Sequence, residues 1–429
     1  MSFLAPVLQM LRQMRIGNRI NAFIERFRIP EWSFLFLLYA FPLFQVFEHS
    51  TLCLLPICAF LLFWFVRSLF QHPKTKLDFA DFLVLLFLLL QLSTALTGYG
   101  RAVDALVAAL LTSIWFFARR FFAERNEESL AFFSSVALLI VSTIGVGQYA
   151  FGVAELRWVD VHRFGDIGGR VTSLFDNPNI LAVYLLLYFP LPLWASFSSK
   201  NNRRLRVFYA TTAILCALCI LLTWSRGAWL GLFLECLLFL LFYNRKSRKS
   251  ILFLPPLALL AIPLLPQNFR TRLLSIGDLG ESSIRYRLQT WVGTWRMLGE
   301  HPVGIGVGER AWRVIYPYFA VSGTKRVMHA HNIFLQVAIE LGLVGLLLFV
   351  LLLGMAFWRG FKQKNFVAIS ALAGALTMGL FDHLWYYPGL LVPFWSMLAF
   401  CSRSGEKETE LGTFVDILHE KRYHNPLKK

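Results

Sequence analysis

HAHNIFLQVAIELGLVGLLLFVLLLGMAF, residues 329–357, decides the fold. Beyond Asn332 it carries a single charge, Glu340, in a run long enough to cross a bilayer; about 20 mostly apolar residues span about 30 Å of hydrocarbon. Polar and apolar residues do not alternate along it, so it reads as a helix and not as a strand of a closed barrel. A basic tract, WRGFKQKN (358–365), follows it at once. The same unit of apolar run and short basic connection recurs along the chain. It predicts about twelve transmembrane helices, near 31–48, 51–69, 78–98, 102–120, 129–152, 178–197, 207–224, 227–243, 250–266, 329–357, 365–386 and 388–402. The expected fold is an all-α polytopic membrane bundle.

Composition points the same way. The 429 residues are 57% hydrophobic and 16% charged, against about 45–50% and about 25% in a soluble chain. Water-soluble enzyme folds are excluded. The net charge of +17 would suggest nucleic acid in a soluble protein, but here the bases sit between apolar runs and report topology. No nucleic-acid partner is expected. All six cysteines lie inside apolar runs, where a disulfide framework has no place. Cys216-Ala-Leu-Cys219 is read as two small apolar fillers without metal or redox chemistry.

Lys and Arg also set the orientation. With the N-terminus in the cytoplasm, alternate connections collect 28 of the 42 bases on that side, leaving 14 outside. Nine of those 14 fall in one long extracytoplasmic loop, 267–328. Residues 1–30 show no cleavable signal core. Leu4, Leu8, Leu11 and Met14, then Ile20, Phe23 and Phe27, recur at helical spacing beside Arg12, Arg15, Arg19 and Arg26. This cytoplasmic segment is expected to lie on the anionic leaflet. The transmembrane domain is 31–402 and the cytoplasmic tail 403–429, so both termini are cytoplasmic.

Positive charge outside needs a reason, and three outward segments carry it: 154–178, the turn 223–228 and the loop 267–328. They are expected to converge on one face. In DIGGRVTSLFDNPNILAVY (166–184), Asn177-Pro178-Asn179 opens a helix and Arg170 follows a Gly pair. Arg170 either faces a ligand or pairs with Asp166 or Asp176. Arg226, in Thr223-Trp224-Ser225-Arg226-Gly227, sits at membrane depth, where ionisable groups usually mark a binding site; snorkelling to lipid phosphate is the alternative. In SSIRYRLQTWVGTWRML (282–298), Ile284, Leu288, Trp291, Trp295 and Leu298 form an apolar stripe with helical period. Arg287 lies about 60° from its centre and is the base expected to point inward, with Arg285 in reserve. Arg285 and Arg296 fall on the solvent side.

Gly304-Ile-Gly306-Val-Gly308 lacks the strand and lysine of a nucleotide loop and reads as a compact turn. His331 stands at a helix start, where the positive dipole end favours a neutral imidazole. His329-x-His331 has the spacing of two zinc ligands, but no third ligand with suitable spacing is near, so no metal is expected. Glu235 and Glu340 are read as buried structural partners. Asp382, in GLFDHLWYYPG (379–389), is placed to act with His331.

These pieces resemble the O-antigen ligase and polymerase superfamily of bacterial envelope enzymes. The most specific is His331-Asn332, nine residues, then Gly342-Leu-Val-Gly345. Supporting it are the Asn-Pro-Asn helix start, Ser225-Arg226-Gly227, Arg287-x-x-x-Trp291 with His301-Pro302 after it, and Asp382. The likeness covers roughly 170–390. It implies an inner-membrane enzyme that moves a glycan from undecaprenyl diphosphate to a lipid A-core or other glycan acceptor. The reaction would run on the extracytoplasmic face, without cofactor or metal, and would invert the anomeric centre. Arg170, Arg226 and Arg287 suit the diphosphate, with His331 as base and Asp382 beside it. An O-antigen or teichuronic-type polymerase is the near alternative. A bicarbonate or solute transporter is the distant one, and it would need charges at the bilayer midplane and broken helices in paired halves.

Overall fold

The computed structural model of the chain describes residues 24, 28–40, 50–71, 77–96, 99–123, 127–152, 169–198, 200–243, 248–249, 263, 267–278, 280–321, 323–383 and 386–403. These residues form helices and connections, with no strand among them. Nearly all of the expected span 250–266 and of the N-terminal amphipathic segment, and the tail from 404, lie outside the described residues.

The helices in chain order are α1 (Ile29–Leu35), α2 (Ser50–Gln71), α3 (Phe79–Ser93), α4 (Ala102–Ala123), α5 (Glu127–Ala150), α6 (Pro178–Tyr188), α7 (Pro190–Phe197) and α8 (Arg203–Leu222). They continue with α9 (Arg226–Phe242), α10 (Gln267–Leu274), α11 (Ser282–Glu300), α12 (Glu309–Ile315), α13 (Ile333–Lys362), α14 (Phe366–Gly379) and α15 (Pro388–Cys401). Six stretches are long and apolar enough to cross a membrane: Phe79–Leu96, Ala102–Phe122, Leu130–Ala150, Pro178–Phe197, Arg203–Leu222 and Ile333–Lys362. Four more apolar helices, Ile29–Ala40, Leu54–Ser68, Phe366–Gly379 and Pro388–Cys401, are shorter. Among the described residues, then, six of the expected spans are long enough to cross alone and others are shorter than expected. One reason is visible after α14. The apolar run 365–386 stops being helical at Gly379, and its remainder becomes the turn that presents Asp382.

α6 and α15 are apolar all round and almost wholly buried, which makes them the centre of the bundle. α9 and α14 cross closely because Gly231 faces Gly374: a Cβ on Gly231 would come within 2.8 Å of the Gly374 carbonyl. Such small-residue crossings let membrane helices approach. This one brings the Arg226 end of α9 beside the Asp382 turn.

α13 is not one continuous helix. Gly342, at φ 71° and ψ −177°, breaks it about two and a half turns after its start. The Gly304 turn lies along the break. Ile305 N–H donates to the Ile339 carbonyl at 2.8 Å, Gly306 N–H to Glu340 at 3.1 Å, and Leu343 N–H to Pro302 at 3.0 Å. The compact turn therefore satisfies backbone groups that the break releases. A Cβ on Gly342 would meet the Val303 backbone at 2.5 Å.

α11 packs differently from its amphipathic reading. Its buried face is Thr290, Gly293, Thr294, Met297 and Leu298, while Leu288, Val292 and Trp295 are 37%, 47% and 67% exposed. Two of the five stripe residues, Leu288 and Trp295, therefore face out, and close packing on Tyr316 selects small residues on the buried face: a Cβ on Gly293 would lie 2.9 Å from the Tyr316 hydroxyl.

At the far end of α13 from His331, about 40 Å along the helix, Arg119 pairs with Asp78 and Asp81 while Arg359 reaches Asp78 at 2.8 Å. Trp115 donates to Asp81 at 2.9 Å. The charges of three connections expected on one side thus meet at one end of the bundle.

Candidate active site

At the other end, a cavity of about 1020 Å³ opens between α6, α9, α11 and the loops before α13 and α15. It collects all five residues singled out above: Arg170, Arg226, Arg287, His331 and Asp382. Arg272, Glu281 and His329 join them. Apolar side chains such as Ile180, Leu230 and Trp291 form much of the remaining wall.

His331 precedes the Asn332 cap of α13, whose side chain accepts from Phe334 and Leu335 N–H. Asn332 Nδ2 also donates to the Leu380 carbonyl at 3.1 Å, tying the helix start to the Asp382 turn. His331 itself has φ 48°, a left-handed conformation costly for a bulky side chain and typical of functional positions. Trp291 Nε1 donates to its carbonyl at 3.3 Å, so α11 helps hold it. Its ring Nδ1 lies 3.3 Å from Asp382 Oδ1. With Nδ1 protonated toward the carboxylate, Nε2 is left as the basic nitrogen. Burial, then the neighbouring His329, push the His331 ring down to about 4. Burial is thus the main influence keeping the ring neutral at physiological pH.

Asp382 is the hub. Burial alone would raise its carboxyl, but hydrogen bonds from His329 and His331 hold it well below the usual carboxylate range. Its Oδ2 accepts from Asn179 Nδ2 at 2.8 Å. Asn179 Oδ1 in turn accepts from Arg170 at 2.9 Å, and Arg170 Nε donates to the Thr223 carbonyl at 2.8 Å. Arg170 is thus held by Thr223 and Asn179, while Asp166, one of the aspartates expected as its structural partner, lies outside the described residues. Burial, with Arg272 and Arg287 nearby, pushes its guanidinium down to about 9.

Arg287 points inward from α11, while Arg285 and Arg296 are exposed. Its Nε donates to the Phe381 carbonyl at 2.8 Å, next to Asp382. Among the described residues its two terminal nitrogens take no protein hydrogen bond. Arg226 is held otherwise. One terminal nitrogen donates to the Ser275 carbonyl (3.0 Å) and hydroxyl (2.9 Å), the other to Glu281 and to Ser283 (both 2.8 Å). Arg272 reaches the same carboxylate at 3.4 Å. Burial pushes Glu281 up, yet the Arg226 and Ser283 bonds outweigh it and leave it at about 2.

Four participants escaped the sequence reading: Asn179, Arg272, Glu281 and His329 as more than a neighbour. Asn179 had a signal, since it sits in the first turn of a helix whose every described face is buried. Glu340, read as structural, is so: it accepts from Gln336 (3.0 Å) and Gly308 N–H (3.2 Å), bracing the Gly342 break. One expectation is corrected. Asp382, distant in sequence, supplies the third ligand-type atom beside His329 and His331 that local spacing lacked.

The O-antigen ligase family profile matches residues 211–350. That stretch includes Arg226, Arg287, His331 and the Gly342 break, and the match bears out the resemblance to the O-antigen ligase and polymerase superfamily. Members of the family are membrane ligases and polymerases acting on lipid-linked glycans. No curated protein matches the chain.

Proposed function

We propose that the protein is an O-antigen ligase-like glycosyltransferase of the bacterial inner membrane, with its cavity on the extracytoplasmic face and both termini in the cytoplasm. The donor is a glycan on undecaprenyl diphosphate, and the acceptor is a hydroxyl of lipid A-core or a similar glycan lipid. One observation carries this reading: a histidine backed by a carboxylate shares a large cavity with a half-buried arginine whose terminal nitrogens take no hydrogen bond among the described residues.

The chemistry divides among these groups. Arg287 takes diphosphate oxygens through its planar fork, and Arg170, Arg226 and Arg272 add fixed positive charge around it. Glu281 keeps two of those cations compensated until the donor arrives. The acceptor hydroxyl oxygen attacks the anomeric carbon opposite the diphosphate, giving inversion. His331 Nε2 takes the hydroxyl proton as the new C–O bond forms. The old bond between anomeric carbon and phosphate oxygen breaks with its electron pair, and undecaprenyl diphosphate leaves. Guanidiniums stabilise that developing charge, so the scheme requires no metal. Asp382 orients the imidazole and stabilises its protonated form, as carboxylates do in hydrolytic triads.

The test uses purified protein in nanodiscs, in EDTA, with lipid-linked glycan and separate acceptors. Transfer to lipid A-core is the expected product, and chain extension on a second lipid-linked repeat would make the protein a polymerase. His331→Ala should bind donor and transfer nothing. Wild-type transfer by that variant would remove His331 from the reaction.

A further inference from the structure

His329, His331 and Asp382 form more than a base and its support. His329 Nε2 lies 3.0 Å from His331 Nδ1, and Asp382 Oδ1 lies 3.3 Å from each. Protons cannot satisfy all three edges of this triangle. The carboxylate oxygen brings no proton, and each ring nitrogen brings at most one. Two protons both directed at the carboxylate leave the ring nitrogens facing each other as donors. One proton between the rings leaves a nitrogen and the carboxylate oxygen facing each other as acceptors. A cation at the centre satisfies every edge. The dimensions suit one: ligands at about 2.0–2.1 Å in a tetrahedral shell stand about 3.3 Å apart.

The surroundings are those of a metal site with an open position. Asp382 is oriented from behind by Asn179 on its other oxygen and by the His383 N–H, at 3.0 Å, on Oδ1. The His331 backbone is pinned by Trp291, and the His329 ring packs across His383 and Tyr386. Outer contacts of this kind orient ligands. All three ligand residues line the large cavity, so a fourth position is open to water or an anion. Two imidazoles and one carboxylate select a borderline dication, zinc before magnesium or calcium. Arg170 and Arg287 nearby oppose any dication, which favours reversible over permanent occupancy.

We infer that His329, His331 and Asp382 bind a zinc-type dication reversibly, and that the bound ion switches transfer off. The binding half stands on the geometry alone. The switching half rests on His331 as base: a metal on Nδ1 replaces the Asp382 contact and withdraws electron density from the ring, so Nε2 accepts a proton poorly.

The experiment titrates Zn²⁺ into full-length protein in nanodiscs against a chromogenic zinc indicator, with transfer measured in parallel. One zinc per chain is expected, with affinity weakened about 10- to 100-fold or more in His329→Ala and in Asp382→Asn. Co²⁺ should give the intense visible bands of a four-coordinate ion in wild type and lose them in His329→Gln, a variant that preserves bulk. Zinc should inhibit wild-type transfer and EDTA restore it, while Mg²⁺ does neither. Absence of saturable zinc binding, or binding unchanged in both ligand variants, overturns the site even if transfer is normal. Zinc bound through these residues with transfer undiminished overturns the switch. A wild type that binds zinc yet transfers nothing in EDTA sinks the transferase reading and leaves the metal site standing.

Discussion

Arg287 offers the sharpest test of the diphosphate site. Its Nε is spent on the Phe381 carbonyl at 2.8 Å, which leaves two terminal nitrogens for the donor. A hydrogen bond to a charged group contributes about 1.5–3 kcal/mol, so two of them amount to about 3–6 kcal/mol. At about 1.4 kcal/mol per tenfold, Arg287→Ala should lower kcat/KM by about 10²- to 10⁴-fold. The bond to Phe381 is lost as well, and with it one restraint on the Asp382 turn, which pushes the effect toward the upper end. Arg287→Lys retains a charge but neither the fork nor the Phe381 bond, and should stay about tenfold or more below wild type. The assay is initial-rate transfer in nanodiscs across donor concentrations, with a thermal melt of each variant alongside. A correctly folded Arg287→Ala variant within about threefold of wild-type kcat/KM would refute the reasoning, given the bond energies used.

Asp382→Asn keeps the side chain's size and removes its charge, so single-turnover transfer should slow by about 100-fold or more while donor still binds; lost donor binding instead would assign Asp382 to the substrate. Asn179→Ala cuts the bridge between Arg170 and Asp382 and should cost about tenfold in kcat, the worth of one buried hydrogen bond, with wild-type turnover counting against the bridge. Gly342→Ala combines a positive φ with a 2.5 Å clash and should destabilise the protein by about 3 kcal/mol or more; an unchanged melting temperature would mean the break can close. Glu281→Gln weakens the α11 cap and strips the counter-charge from Arg226 and Arg272. It should cost about 1–2 kcal/mol of stability, and a raised donor KM would show that Glu281 itself touches substrate.

Local signals carried far in this chain. Apolar run length identified a helical membrane bundle, and the ends of those runs marked Arg226, His331 and Asp382 as neighbours of one surface. Helical phase picked Arg287 over Arg285. Where the reading stopped, the reason lies in what periodicity measures. It shows that α11 has two faces, but not which of them meets protein; the tight approach of Gly293 to Tyr316 decides that. Nor does it see residues joined across 203 positions, as Asn179 and Asp382 are. The break in α13 was hidden for a related reason. Gly342 lies in an otherwise ordinary apolar run, and only the Gly304 backbone laid against it makes a helical conformation there impossible.

That break also has a mechanical meaning. Bilayers differ in thickness by a few Å, and a long helix answers a mismatch chiefly by tilting. In α13 the long segment after Gly342 meets the hydrocarbon. The short segment before it is clamped to the Gly304 turn, through Glu340 to Gly308, through Gln336 to Tyr386, and through Asn332 to Leu380. Tilt of the long segment therefore pivots at a glycine and does not swing the imidazole away from its carboxylate. The His331–Asp382 geometry is referenced to the loops before α13 and α15, so the proposed transfer should keep its rate across lipids of different chain length.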